Sequence, residues 1–231
     1  SLQIINNIRG GLTRINNENK IEANLAKSWE IDQSGKKITI KIKKVYWNDG
    51  EELIAQHFVD SWERLLNPET AADYAYFLYD IKNAKEYNLG KISDFNLVGV
   101  KAIDSKTLEI ILTGRKSYFV SLLSFMSTFP IRKDVIKKYN EKWIEAENIV
   151  TLGNYSLARW ENHNFILLEP RNISKPKIML IMNNNPTSTL AMFENGKLDI
   201  VDGSGIPLLE IPYLKKAGVL KTMPSFRNNY I

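Results

Sequence analysis

Between positions 38 and 44 apolar and polar residues alternate strictly, with Ile38, Ile40 and Ile42 on one side and Thr39, Lys41 and Lys43 on the other. A period of two predicts a strand with one buried face. Asn48, Asp49 and Gly50 follow and supply a turn, because all three tolerate left-handed backbone. Over residues 55–66 the period changes to 3.6. Phe58, Val59, Trp62, Leu65 and Leu66 form one stripe there, the pattern of an amphipathic helix. Asn67-Pro68 ends it, since the residue ahead of a proline is driven out of the helical region.

Elsewhere the pattern predicts a helix over residues 2–8, stopped by Gly10-Gly11, where glycine's tolerance of positive φ predicts a sharp change of direction. Short helices are predicted over 74–79 and 118–125, and an amphipathic stretch over 131–143. Strands over 97–100 and 107–112 extend the sheet begun at 38–44. Residues 154–160 and 165–169 read as a hairpin across 161–164, and the apolar run 178–182 as a buried strand. Asn185-Pro186 opens a helix with Asn as cap and Pro at the first helical position, and Gly196 closes it. A short strand over 198–201, a loop over 202–206, a helix over 207–216 and a strand near 219–223 complete the reading. Hairpins mixed with helices, rather than strict alternation of strand and helix, place the chain in the α+β class.

Composition narrows function by exclusion. Cysteine is absent, which removes disulfide frameworks, thiolate metal sites and cysteine nucleophiles. The longest apolar runs, 108–112 and 178–182, are far shorter than a membrane-spanning helix, and no signal-like leader opens the chain. The net charge of +5 comes from basic residues spread along the chain. Their densest cluster, Lys36, Lys37, Lys41, Lys43 and Lys44, puts Lys37, Lys41 and Lys43 on one solvated strand face, so no nucleic-acid partner is expected.

Two isolated histidines, His57 and His163, give no ligand spacing, and neither metal nor cofactor is expected. Gly203-Ser204-Gly205 lacks the spacing of a nucleophile elbow. Its only candidate bases lie in the amphipathic helix and in the hairpin turn, so no enzyme is expected. Glu51-Glu52 suits the N-terminal dipole of the 55–66 helix better than an acid/base pair. The five tryptophans, Trp29, Trp47, Trp62, Trp143 and Trp160, are assigned to small cores.

Six stretches, in order, resemble one family. They are Gly10-Gly11-Leu12-Thr13-Arg14 with Leu25-Ala26-Lys27-Ser28-Trp29-Glu30; residues 38–44 leading into Val45-Tyr46-Trp47-Asn48-Asp49-Gly50; and the 55–68 helix with its Asn67-Pro68 end. Leu97-Val98-Gly99-Val100-Lys101-Ala102-Ile103-Asp104 with Thr107-Leu108-Glu109 follows, then Asn148-Ile149-Val150-Thr151-Leu152-Gly153-Asn154-Tyr155, then Phe193-Glu194-Asn195-Gly196-Lys197-Leu198-Asp199. Together they resemble the bacterial extracellular solute-binding proteins of family 5, the receptors of ABC transporters. Pro68-Glu69-Thr70-Ala71 and Asp73-Tyr74-Ala75 resemble its oligopeptide and dipeptide branch.

The resemblance implies a periplasmic-binding-protein fold of type II and a receptor whose two lobes close on an extended peptide and hand it to permease subunits. It implies that this chain is a fragment, one lobe and part of the hinge, with the second lobe absent beyond a crossover strand near residues 226–231. Within that lobe, residues 11–129 would be a subdomain inserted between 1–10 and 130–231. Tyr74 stands where the family places a tyrosine against the peptide; the other reading is one more tyrosine in a segment that also holds Tyr76 and Tyr79. Gly203, Ser204 and Gly205 lie where the family offers backbone groups to the peptide, and the other reading is a plain turn. The resemblance implies a monomer, in the periplasm or lipid-anchored to the outer face of the cell membrane. It leaves open another solute (an oligosaccharide, a nickel chelate or haem) or a truncated signalling receptor.

Overall fold

The computed structural model describes residues 2–222. As far as described, they divide into two compact units: Ser1–Trp160 with Leu167–Met179, and Glu161–Ile166 with Leu180–Ile231.

The first unit opens with helix α1 (Leu2–Ile8) and the antiparallel pair β1 (Thr13–Ile15) and β2 (Ile21–Ala23). Gly10 and Gly11, between them, do not use positive φ. Space is what Gly11 provides: a Cβ there would lie 2.3 Å from the Leu123 carbonyl oxygen and 2.7 Å from the Phe129 ring. The change of direction expected from left-handed glycine is replaced by a close approach of two chain segments.

Strands β3 (Ala26–Ile31) and β4 (Lys37–Ile42) then lead into α2 (Ala55–Leu66) and the short α3 (Ala84–Asn88), followed by β5 (Val100–Asp104) and β6 (Thr107–Ile111). The four strands form one antiparallel sheet in the order β3-β4-β6-β5, with Ile38 opposite Ile110 and Ile40 opposite Leu108. Ile38, Ile40 and Ile42 are buried, as the alternation requires. On the other face Lys41 donates to Thr107 Oγ1 at 2.8 Å and Lys37 pairs with Glu109, so these lysines fasten strands as well as facing water. The strand expected at 97–100 begins only at Val100. Asp94 accepts the Asn96 N–H at 2.9 Å and winds Phe95–Leu97 into a 3-10 turn, a local side-chain bond that wins over alternation.

Helix α2 spans the predicted residues and packs on β5 and β6. Phe58, Trp62 and Leu66 are fully buried, each contributing roughly 1.5–3 kcal/mol over an exposed side chain. Ser61 Oγ donates to the Phe129 carbonyl at 2.7 Å and Trp62 Nε1 to the Thr128 carbonyl at 2.9 Å, which fixes the segment after α4 (Phe119–Leu122) against α2. Glu52 pairs with Lys106 at 2.7 Å, and His57 Nδ1 accepts the Ile54 N–H at the start of α2. Trp47 and Trp62 anchor the core, but Trp160 is 47% exposed and does not.

Helix α5 (Lys133–Tyr139) stops at Asn140, whose φ of 50° leaves the helical region, and a 3-10 turn, Asn140–Ile144, continues. Leu152 and Gly153 both donate backbone N–H groups to the Ile8 carbonyl at 2.9 Å, tying α1 to this part of the unit. Strands β7 (Tyr155–Glu161), β8 (Phe165–Pro170) and β9 (Ile178–Ile181) form a sheet in that order, with His163 at φ 62° in the hairpin turn. The 178–182 run is a strand as expected but not a buried one, with Met179 55%, Ile181 41% and Met182 39% exposed. A run without polar alternation carries no information about which face lacks a cover.

In the second unit α6 (Pro186–Glu194) starts as predicted, Asn185 Oδ1 accepting the Ser188 N–H at 3.0 Å, and ends at Gly196 with φ 69°. Residues 198–201 pair with no ladder and Ile200 is 85% exposed, so the strand expected there is absent. A 3-10 turn, Leu208–Glu210, leads into α7 (Ile211–Lys216). No strand forms over 219–222; Met223 and the crossover strand expected near 226–231 lie outside the described residues.

Candidate functional site

After α2, the Asn67 side chain caps a 3-10 turn, Pro68–Thr70, and Ala71 turns the chain through left-handed backbone at φ 47°. A second 3-10 turn, Ala75–Leu78, buries Ala75 and Leu78 in the core. With a period of three, that anchoring turns Tyr74 and Tyr76 outward, 40% and 57% exposed. Phe77 stacks between Tyr76 (4.8 Å between centroids) and Phe125 (4.7 Å), and Tyr74 stands edge-on to Phe125 at 5.3 Å. The result is an aromatic surface set on a rigid core. Its rings are held by one another, so little rotamer freedom remains to be lost on binding. Phe77 is legible at three positions from Tyr74. Phe125, some fifty residues on, is placed by the fold alone.

Gly203, Ser204 and Gly205 form a 3-10 turn in the second unit, and the Gly205 N–H is taken by the Asp202 carbonyl at 2.8 Å. A Cβ on Gly205 would meet Val201 at 3.1 Å and Thr189 at 3.4 Å, whereas Gly203 has open space on that side. The segment is a turn rather than an extended edge, and its approachable backbone is at Gly203. Tyr74 belongs to the first unit and these three residues to the second, and each is placed within its own unit.

Two sets of ionisable groups in the first unit are engaged in structure. Arg132 holds Asp134 through two parallel bonds of 2.8 and 2.7 Å and reaches Asp49 at 3.1 Å. The guanidinium beside it keeps the Asp134 carboxyl below the usual carboxylate range. Buried His57 accepts from Trp47 Nε1 at 3.3 Å, and burial, then the Arg132 charge, lowers its pKa to about 4. Among the described residues no group of three His, Asp or Glu side chains could hold a metal, and no helix is long and apolar enough to cross a membrane.

Residues 20–231 match the family profile for bacterial extracellular solute-binding proteins, family 5 Middle. The oligopeptide-binding protein OppA of Bacillus subtilis is 34% identical over 229 residues, which take in 93% of this chain and 41% of that protein. The probable deoxycholate-binding periplasmic protein YgiS of Escherichia coli is 28% identical over 240 residues, 99% of this chain and 44% of that one. Among solved structures, Haemophilus influenzae OppA in complex with RPPGFSPFR superposes with a TM-score of 0.86 at 29% identity, covering 94% of this chain and 44% of that chain. This chain thus spans about two fifths of the length of the relatives it matches, and over that length it has the α+β fold of substrate-binding proteins. It belongs to the bacterial extracellular solute-binding proteins of family 5.

Proposed function

We propose that this chain is part of a receptor that captures peptides outside the cytoplasmic membrane and delivers them to the permease of an ABC transporter, by equilibrium binding and without chemistry. The observation that carries the reading is the aromatic surface of Tyr74, Tyr76, Phe77 and Phe125 in a member of this family. Relatives named for oligopeptides, and a neighbour solved with a peptide, supply the ligand class. Tyr74 is the first contact and Gly203, Ser204 and Gly205 the second, with Gly203 leaving room for a peptide backbone. Residues 11–129 act as an inserted subdomain of the lobe whose core is 1–10 with 130–231. In support, the β3-β4-β6-β5 sheet and α2 lie wholly inside the first range, while Ile8 is bonded to Leu152 and Gly153. The receptor is a monomer, periplasmic or lipid-anchored to the outer face of the membrane.

Ligand-driven closure needs different affinities for open and closed forms, and therefore a second wall. The 231-residue chain by itself binds peptide more weakly than micromolar. Titration calorimetry with tri- to pentapeptides tests this, and a sub-micromolar affinity would contradict it. A second reading, a bile acid, draws on the YgiS match and on the suitability of flat aromatic faces for a steroid. Deoxycholate competing with peptide for the Tyr74 surface, and binding it more tightly, would favour that reading.

A further inference from the structure

We propose that a cavity beside the C-terminal end of α2 is a carboxylate-binding subsite, in which Arg9 and Arg64 hold a carboxylate of the bound peptide and Ser127 donates a hydrogen bond to it. The cavity, about 190 Å³, is lined by Arg9, Arg64, Thr70 and Ser127 over apolar Met126 and Ile131, and no carboxylate lines it. Three other arginines of the first unit are satisfied: Arg14 pairs with Glu22, Arg132 with Asp49 and Asp134, and Arg171 donates to the Tyr46 and Trp47 carbonyls.

Arg9 differs. Its guanidinium lies 5.0 Å over the Trp143 ring, a contact that orients the cation without neutralising it, and among the described residues it has no acidic partner. Burial without a counter-charge lowers its pKa to about 10, still far above neutral pH, so the group remains a desolvated cation. Arg64, in the last turn of α2, is exposed and has no ion pair among the described residues, so it is free to meet an anion entering the cavity it lines. Ser127 supplies the second, independent observation. Its Oγ is shut off from solvent and has no hydrogen-bond partner, so it meets a ligand by turning about χ1 toward the cavity that the residue lines. Two unneutralised guanidinium groups and an unused hydroxyl around one small cavity match a carboxylate, which accepts several hydrogen bonds and carries the missing charge.

The ligand class rests on the peptide reading, and the carboxylate is either the peptide C-terminus or an acidic side chain. The test follows backbone and arginine Nε–H signals of the 231-residue chain by NMR. Probes are glutarate, inorganic phosphate, Ala-Ala-Ala and its amide, and the amides of Ala-Glu-Ala and Ala-Gln-Ala. Glutarate is expected to shift the Ser127 amide and the Arg64 Nε–H saturably, and Arg9→Gln or Arg64→Gln to weaken it by about ten-fold. Ser127→Ala should weaken it by a smaller factor, with the fold checked by tryptophan fluorescence. A preference for Ala-Glu-Ala amide over Ala-Gln-Ala amide assigns the side chain; a preference for Ala-Ala-Ala over its amide assigns the C-terminus. No shift with glutarate, a response indifferent to both arginine variants, equal binding of phosphate, or no preference in either peptide pair overturns the subsite. Peptides that perturb Tyr74 while glutarate does nothing leave peptide capture standing without it. Glutarate bound at these residues while every peptide fails is the converse, and sinks the peptide reading.

Discussion

The imidazole of His57 is surrounded by groups that favour its neutral form. The Trp47 Nε1–H and the Ile54 N–H both donate to Nδ1 at 3.3 Å, and the Trp47 ring stands edge-on at 5.7 Å. Burial is the largest cause of its lowered pKa and the charge of Arg132 the next, while Asp60 and Asp134 oppose them. Folded His57 titrates near 4 and unfolded His57 near 6.5, so between those values the unfolded chain binds more protons. Stability from this group is complete above pH 6.5, is lost as pH falls through the window, and stops changing below about 4. The full loss is about 3 kcal/mol. Urea midpoints measured across the window check it, together with a His57 ring-proton signal whose titration midpoint lies near pH 4. A second residue-scale expectation concerns Gly11, where a methyl group has no space beside the Leu123 carbonyl. Gly11→Ala should destabilise by about 1–3 kcal/mol in urea unfolding. The glycine pair is visible in the sequence, but its reason is not, because the crowding atoms arrive from more than a hundred residues away.

Elements whose two faces differ in chemistry are legible before folding. The alternation of Ile38, Ile40 and Ile42 and the stripe of Phe58, Trp62 and Leu66 reappear as the buried faces of β4 and α2. So does the start of α6, because the Asn185 cap is a local bond. Removing that cap should cost about 1 kcal/mol, so Asn185→Ala should speed amide exchange in α6 about five-fold relative to the core of the first unit. Other segments depend on partners that a pattern cannot name. Residues 198–201 look like a strand but find no ladder, and 178–182 form a strand whose cover the run cannot specify. Asp94 and Asn140 redirected two other elements through local side-chain and backbone preferences that compete with periodicity.

At the scale of the whole chain, ordered short motifs carried more than any single site. They pointed to the family now matched over residues 20–231. The aromatic cluster around Tyr74 was not legible, since Phe125 reaches it only through the packing of α2 against the segment after α4. Nor was the cavity of Arg9 and Ser127, whose chemistry lies in bonds these residues do not make. No motif records an unmet hydrogen bond.

The central claim is that the exposed rings around Tyr74 are a peptide-binding surface. Ring proton and carbon signals of Tyr74, Tyr76, Phe77 and Phe125 should be followed while short peptides are added to millimolar concentration, in the parent chain and in Tyr74→Ala. The account predicts saturable shifts confined to these rings and their neighbours, with affinity weaker than micromolar and lost in the variant. Rings that stay unmoved at saturating peptide, or binding that survives Tyr74→Ala unchanged, would contradict it.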